Sequence, residues 1–247
     1  LLTIIPIYKQ FQLSCSRVSQ LKELEMTDLA PTRQVVSDIK HKDAALQVDK
    51  LTVGYKDDAP ILTNVSYTFS KRGCYLITGD NASGKSTLMK TIVGLVRPLS
   101  GYVYQKENTE CCYVPQTPYL FPGTIFDNLV LGIGKFDIDQ VNHLVEITNL
   151  SKDLQAEGKN LNNVIDNRSI SLSTGQIQKV KLIRGIIASP QVLIIDEVLS
   201  NIDVESNKNI LSYLRGWSKT HTLIIVAHDN ERIKASLCPV IIDVNEL

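Results

Sequence analysis

The sequence predicts an α/β domain built on a mixed, mainly parallel sheet, and three observations carry that expectation. Short apolar runs at 75–78, 192–195 and 223–227 read as strands buried on both faces. Helix-like stretches separate them, the alternation that lays helices against a parallel sheet. Ahead of them, Leu46 with Val48 and Leu51 with Val53 read as paired N-terminal antiparallel strands, a pattern that Ile61, Val65, Tyr67 and Phe69 continue.

Composition supports a folded chain. Of 247 residues, 43% are hydrophobic and 21% charged, enough apolar material for a sizeable core. Lys and Arg number 26 against 26 Asp and Glu, so the net charge is zero and sequence-independent binding along nucleic acid is not expected. The five cysteines, Cys15, Cys74, Cys111, Cys112 and Cys238, are odd in number with two adjacent, which suits reduced thiols in an intracellular setting. No apolar run approaches the roughly 18 residues needed to span a bilayer, and no signal peptide is evident. Because residue 1 is Leu, the chain is expected to begin inside a longer polypeptide.

Phe11, Cys15, Val18, Leu21 and Leu24 recur at helical spacing and predict an amphipathic helix. Residues 27–43 are polar, contain Pro31 and read as a linker, which places the start of the globular domain at Ala44. Between 128 and 169, β-branched clusters are absent and Val141, Leu144, Val145 and Leu150 keep helical spacing, predicting a helical insertion.

The sharpest chemical signal is Gly79-Asp80-Asn81-Ala82-Ser83-Gly84-Lys85-Ser86, a full G-x-x-x-x-G-K-[ST] after an apolar strand and before a helix opening at Thr87 and Leu88. Glycines let backbone N–H groups wrap phosphates, and the helix N-terminus favours an anion. Lys85 reaches the outer phosphates, and the Ser86 hydroxyl ligates Mg²⁺. The buried run ending in Asp196-Glu197 puts two carboxylates where open α/β sheets bind ligands. Adjacent strand side chains point oppositely, so Asp196 is expected in the Mg²⁺ shell and Glu197 as the base that polarises the attacking water. Ser173 and Gln176 form a capping-box pattern ahead of a helix with apolar positions Ile177, Val180, Ile183 and Ile187. Ser173 either simply caps that helix or offers a second phosphate-binding N-terminus.

Together these motifs resemble the nucleotide-binding domain of ATP-binding cassette (ABC) transporters, with a P-loop NTPase fold carrying a helical subdomain. Residues 79–87 match Walker A, 192–197 match Walker B, and Leu172-Ser173-Thr174-Gly175-Gln176 resembles the LSGGQ signature with Thr174 for a glycine. Tyr55 resembles the aromatic that stacks on adenine, Gln116 the Q-loop glutamine, Ser200-Asn201-Ile202-Asp203 the D-loop, and His228 the switch histidine.

The resemblance covers about residues 46–243 and implies domains at 1–43, the end of a membrane-domain helix plus linker, and 44–247, the cassette, with its helical subdomain at about 117–188. It implies ATP and Mg²⁺ as cofactors. Glu197 and His228 would be catalytic, Ser86, Gln116 and Asp196 would hold the metal, and Tyr55, residues 79–87, Gln116, Ser173, Gly175, Gln176 and Asp203 would contact nucleotide. It also implies a partner cassette, paired head to tail so that Ser173 and Gly175 reach the nucleotide of the mate.

Residues 120–129 resemble the stretch after the Q-loop in exporters, and 164–170 the exporter x-loop with Asn167 in place of a glutamate. That branch implies a transmembrane domain upstream on the same polypeptide, at the cytoplasmic face of a plasma or inner membrane. Two alternatives stay open: a nucleotide-gated dimerisation module with slow or no hydrolysis, and a soluble, non-transport ABC ATPase.

Overall fold

In the computed structural model the described residues are 34–36, 43–106, 109–117, 120–165, 172–227 and 231–247. The amphipathic helix expected from Phe11 to Leu24, most of the expected linker, Asn167 and His228 lie outside them.

In chain order the elements are β1 (Gln34–Val36), β2 (Ala44–Lys56), β3 (Ala59–Ser70), β4 (Cys74–Thr78) and α1 (Lys85–Ile92). There follow β5 (Ser100–Lys106), β6 (Cys111–Val114), β7 (Gly123–Thr124), α2 (Ile125–Leu129), α3 (Ile138–Ile147), α4 (Leu150–Ala156) and β8 (Val164–Ile165). Next are α5 (Thr174–Ile187), β9 (Val192–Asp196), α6 (Val204–Trp217), β10 (Thr222–Val226), α7 (Glu231–Leu237) and β11 (Val240–Asp243). One sheet has the order β11-β4-β10-β9-β6, every described pairing in it parallel, and a second has the order β1-β5-β2-β3. In the second sheet β2 pairs antiparallel with β3 and β5, and β1, inside the expected linker, runs parallel to β5.

The three apolar runs are β4, β9 and β10, and their alternation divides the core in two. Leu76, Leu193, Ile195, Leu223 and Ile225 face a cluster with Val180, Leu182, Ile183 and Ile186 of α5. Tyr75, Ile77, Val192, Ile194, Ile224 and Val226 face the other side, against Leu88, Met89 and Ile92 of α1 and the antiparallel sheet. Burial on both faces is why these strands lack polar alternation.

Two expectations need correction. Leu46, Val48, Leu51 and Val53 belong to one 13-residue strand, not two, because β2 bulges at Lys50, whose φ is +48°, and its pairing shifts register between Val48 and Leu51. Gly101 accommodates that bulge: a Cβ there would lie 2.2 Å from the Lys50 carbonyl oxygen. The apolar stripe assigned to α5 is also too narrow. Gln176, Gln178, Lys179 and Lys181 are buried along with the aliphatic positions, because α5 packs on α2, α3, α4 and β6 and is enclosed nearly all round.

Candidate functional site

β4 delivers the chain into the loop 79–84, which turns through Gly79 at φ +137° and Gly84 at φ +94° before α1. A Cβ at Gly84 would meet Cγ2 of Ile61 at 2.7 Å, so β3 packs directly on the loop. Ala82 stands in the left-handed region at φ +62°, a conformation costing a side-chain-bearing residue about 1 kcal/mol. Lys85 is 4% exposed; its ammonium bends back to donate to the carbonyls of Gly79 at 2.9 Å and Asp80 at 2.5 Å. The Ser83 hydroxyl is buried with no hydrogen-bond partner among the described residues, an unmet polar group inside the turn. Asn81 is exposed, and Thr87 is buried on α1.

The parallel strand order sets two carboxylates opposite this loop. Asp196, the last residue of β9, is 1% exposed. Its Oδ1 accepts from the Ser86 hydroxyl at 3.1 Å and its Oδ2 from the Tyr113 hydroxyl at 2.6 Å. Burial, with the Asp196 carboxylate beside it, pushes the Tyr113 phenol well above the usual range, so it stays a donor at any physiological pH.

Glu197 does diverge from Asp196, but the pleat is not the reason: it lies one residue past the strand with φ +52°, so a left-handed turn redirects it. The Gln116 amide donates to Oε2 of Glu197. A cavity of about 300 Å³ joins residues 81–86 with Gln116 and Glu197.

The second constellation stands apart. Ser173 caps α5: its hydroxyl accepts from the Gln176 N–H at 3.2 Å while Oε1 of Gln176 accepts from the Ser173 N–H at 2.9 Å. The Gln176 amide also donates to Glu157 at 2.8 Å, so this buried side chain is engaged within the protein. Ser173 and Thr174 are exposed. A Cβ at Gly175 would lie 2.9 Å from the Asn201 carbonyl oxygen, bringing the D-loop residues against the start of α5. Ser173, Gly175, Gln176, Asn201 and Asp203 line a cavity that has no described residue in common with the cavity at 81–86.

Behind it, Lys179 is 1% exposed and donates to Asp153 at 2.6 Å, Asp203 at 2.8 Å and Ser206 at 2.8 Å. Burial pushes the Asp203 carboxyl up, but hydrogen bonds from Lys179 and from the Ser206 N–H and hydroxyl outweigh it and carry it down to about 2.

Tyr55 lies near the end of β2, 63% exposed, with a free face beside Leu95 and Arg97. The residues that sequence reasoning missed are Tyr113, Lys179, Lys181, Asp153 of α4 and Glu157 just past its end. Lys179 and Lys181 flank Val180 among the buried positions of α5, and that placement on the enclosed side of the helix was the available signal. Lys181 is 4% exposed, and burial, then Arg184, pushes its ammonium down to about 8 while Asp196 opposes the shift. Cys74, Cys112 and Cys238 are free thiols, and burial pushes Cys112 up to about 11.

A family model described as ABC transporter matches residues 62–200. The chain is 27% identical over 227 residues to a putative ABC transporter ATP-binding protein of Mycoplasma pneumoniae, covering 87% of this chain and 35% of that one. It is 29% identical over 195 residues to a lactococcin transport/processing ATP-binding protein of Lactococcus lactis, covering 74% of this chain and 27% of the relative. A multidrug resistance-like ATP-binding protein of Escherichia coli is 29% identical over 182 residues, covering 69% of this chain and 31% of the relative. The chain thus spans about a third of the length of these relatives. A solved bacterial Atm1-family ABC exporter with ATP bound has the same fold, with a TM-score of 0.73 at 21% identity over 89% of this chain and 41% of that one. Among the described residues no helix is long and apolar enough to cross a membrane.

Proposed function

Because this chain belongs to the ABC transporter family of ATP-binding domains, we propose that residues 44–247 are the nucleotide-binding domain of an exporter, working as a pair of cassettes that bind and hydrolyse ATP. Residues 1–43 would lead from a transmembrane domain on the same polypeptide, and the cassette would sit at the cytoplasmic face of a plasma or inner membrane. Relatives named for lactococcin transport and multidrug resistance support export as the work done, with the cargo open.

The observation that carries the reading is the separation of the two cavities. Ser173 is exposed, in a cavity that has no described residue in common with the one at the P-loop. A signature that grips a terminal phosphate must then grip one held by another copy. Exposure costs Ser173 nothing in the single chain and becomes useful only when a mate covers it.

The residues present fit a magnesium triphosphate. Ser83 offers a buried hydroxyl without a partner among the described residues, Gly84 leaves no Cβ between the loop and β3, and Lys85 is already desolvated beside the loop carbonyls. Ser86, Asp196 and Gln116 would supply the oxygen donors that a hard cation prefers. Mg²⁺ held there would stabilise negative charge on the transferring phosphoryl group.

The chain's own groups would do the rest. Lys85 exchanges its carbonyl partners for phosphate oxygens. Glu197, steadied by Gln116, accepts a proton from the attacking water. Asp196, held on both oxygens, keeps its orientation while the site fills. Tyr55 would stack on adenine, His228 would meet the terminal phosphate, and Asp203 would act in the D-loop at the pair interface.

Glu197→Gln keeps the shape and removes the base. With ATP and magnesium it should bind nucleotide, stop turnover and accumulate dimers on size exclusion. Unchanged hydrolysis by that variant would remove Glu197 from the role.

A further inference from the structure

Lys181 lies two turns into α5 and is 4% exposed, yet among the described residues no carboxylate is within ion-pair distance of it. Its ammonium instead donates to three consecutive carbonyls of the Q-loop: Pro115 at 2.5 Å, Gln116 at 3.2 Å and Thr117 at 3.3 Å. Gln178, three residues earlier on the same helix, adds its amide to the Gln116 carbonyl at 3.3 Å. Burying an ammonium among neutral partners is costly, and an aliphatic residue would fill the site without that cost. Packing therefore does not account for a lysine at this position.

What the lysine gains is a grip on backbone. Gln116 is held by its own carbonyl, and its side-chain amide then reaches Glu197. The line of contacts runs from α5, through the carbonyls of 115–117, to the proposed base. The same helix begins at the Ser173 cap, about 12 Å away at 1.5 Å per residue.

Building on the hydrolytic reading above, we propose that Lys181 is a positioning residue that gears the Q-loop to the signature helix. When α5 shifts to bring Ser173 onto a partner's nucleotide, Gln116 travels with it and sets Glu197 against the attacking water. Lys181 touches neither nucleotide nor water; it acts through Gln116. Its loss therefore leaves nucleotide binding intact and misplaces the base, and an error of an ångström in such geometry costs roughly ten- to a hundredfold in rate.

The test uses the full chain as wild type, Lys181→Met and Lys181→Arg, with steady-state hydrolysis, thermal melting and amide hydrogen exchange over 113–117. In Lys181→Met, exchange at the Gln116 and Thr117 amides should rise and kcat should fall at least about tenfold, with the KM for ATP within about twofold. Lys181→Arg, which keeps a buried donor, should recover much of both. Wild-type kcat in Lys181→Met, a fall in kcat matched by an equal loss of ATP affinity or of folded protein, or failure of arginine to rescue either readout would each overturn the proposal. Absence of hydrolysis in the wild type would instead count against the ATPase reading, while the exchange measurement would still decide whether the clamp exists.

Discussion

The Tyr113 hydroxyl donates to Oδ2 of Asp196 at 2.6 Å, leaving Oδ1 to the Ser86 hydroxyl at 3.1 Å. One oxygen of the carboxylate is thus anchored from the neighbouring strand β6 and the other faces the P-loop helix. Tyr113→Phe removes a hydrogen bond to a charged group, worth about 1.5–3 kcal/mol in such settings, and should lower the melting midpoint by about 5 °C. With Oδ2 released, the magnesium concentration needed for half-maximal protection of bound ATP should rise, while ATP binding without metal stays as in the wild type. Equal magnesium requirements in both proteins would show that the phenol does not orient Asp196.

Lys179 is the only fully buried cation on the described signature side with two carboxylates, Asp153 and Asp203, on it. Removing one member of a buried pair typically costs about 3–5 kcal/mol, and the partial exposure of both acids reduces that here to about 2. Lys179→Met should therefore lower the melting midpoint by about 6 °C, and the loss should shrink when Asp203→Asn is added. Strict additivity in that double-mutant cycle would deny the contact any energetic weight.

Asp203 also sets an acid limb. Its folded value, about 2, lies below the ordinary 3.8, so its contribution is fully present above about pH 4 and is lost as pH falls toward 2. The stability gap between wild type and Asp203→Asn, followed by denaturant titration from pH 5 to pH 2, should close across that window. A gap that stays constant to pH 2 would show that Asp203 titrates normally.

The legible parts of this protein are those in which one residue type answers one physical demand. The parallel strands announced themselves because burial on both faces leaves no polar alternation, and the loop 79–86 because only glycine and small residues tolerate its turns. The bulge in β2 was hidden: Lys50 carries no mark of a positive φ, and its enabling glycine, Gly101, lies far along the chain on β5. Tyr113 reads in sequence as an ordinary strand aromatic, because its value lies in the carboxylate that β9 places beside it. Lys179 and Lys181 read in sequence as ordinary polar positions of an amphipathic helix, because their partners come from α4, the D-loop and the Q-loop, which spacing along one helix cannot reveal. Strand alternation predicts that Glu197 diverges from Asp196, but the divergence comes from the left-handed turn one residue past β9.

Ser173 supplies a further expectation from its exposure alone. Ser173→Glu removes the N-cap of α5, at about 0.5–2 kcal/mol, and places a charge on the surface; the chain should stay folded, with ATP binding by the single chain within about twofold of wild type. It should abolish ATP-induced dimers and turnover, because the new carboxylate would face a partner's phosphates. Weakened ATP binding by the monomer, seen in equilibrium dialysis, would mean that Ser173 serves its own nucleotide.

The most direct measurement is a crystal structure of the Glu197→Gln protein with ATP and magnesium. Two copies should enclose two nucleotides, with the Ser173 hydroxyl of each copy within hydrogen-bonding distance of a terminal phosphate oxygen held by Lys85 of the other. Nucleotide closed over by a single chain, with Ser173 left facing solvent, would contradict the paired site on which the proposed function rests.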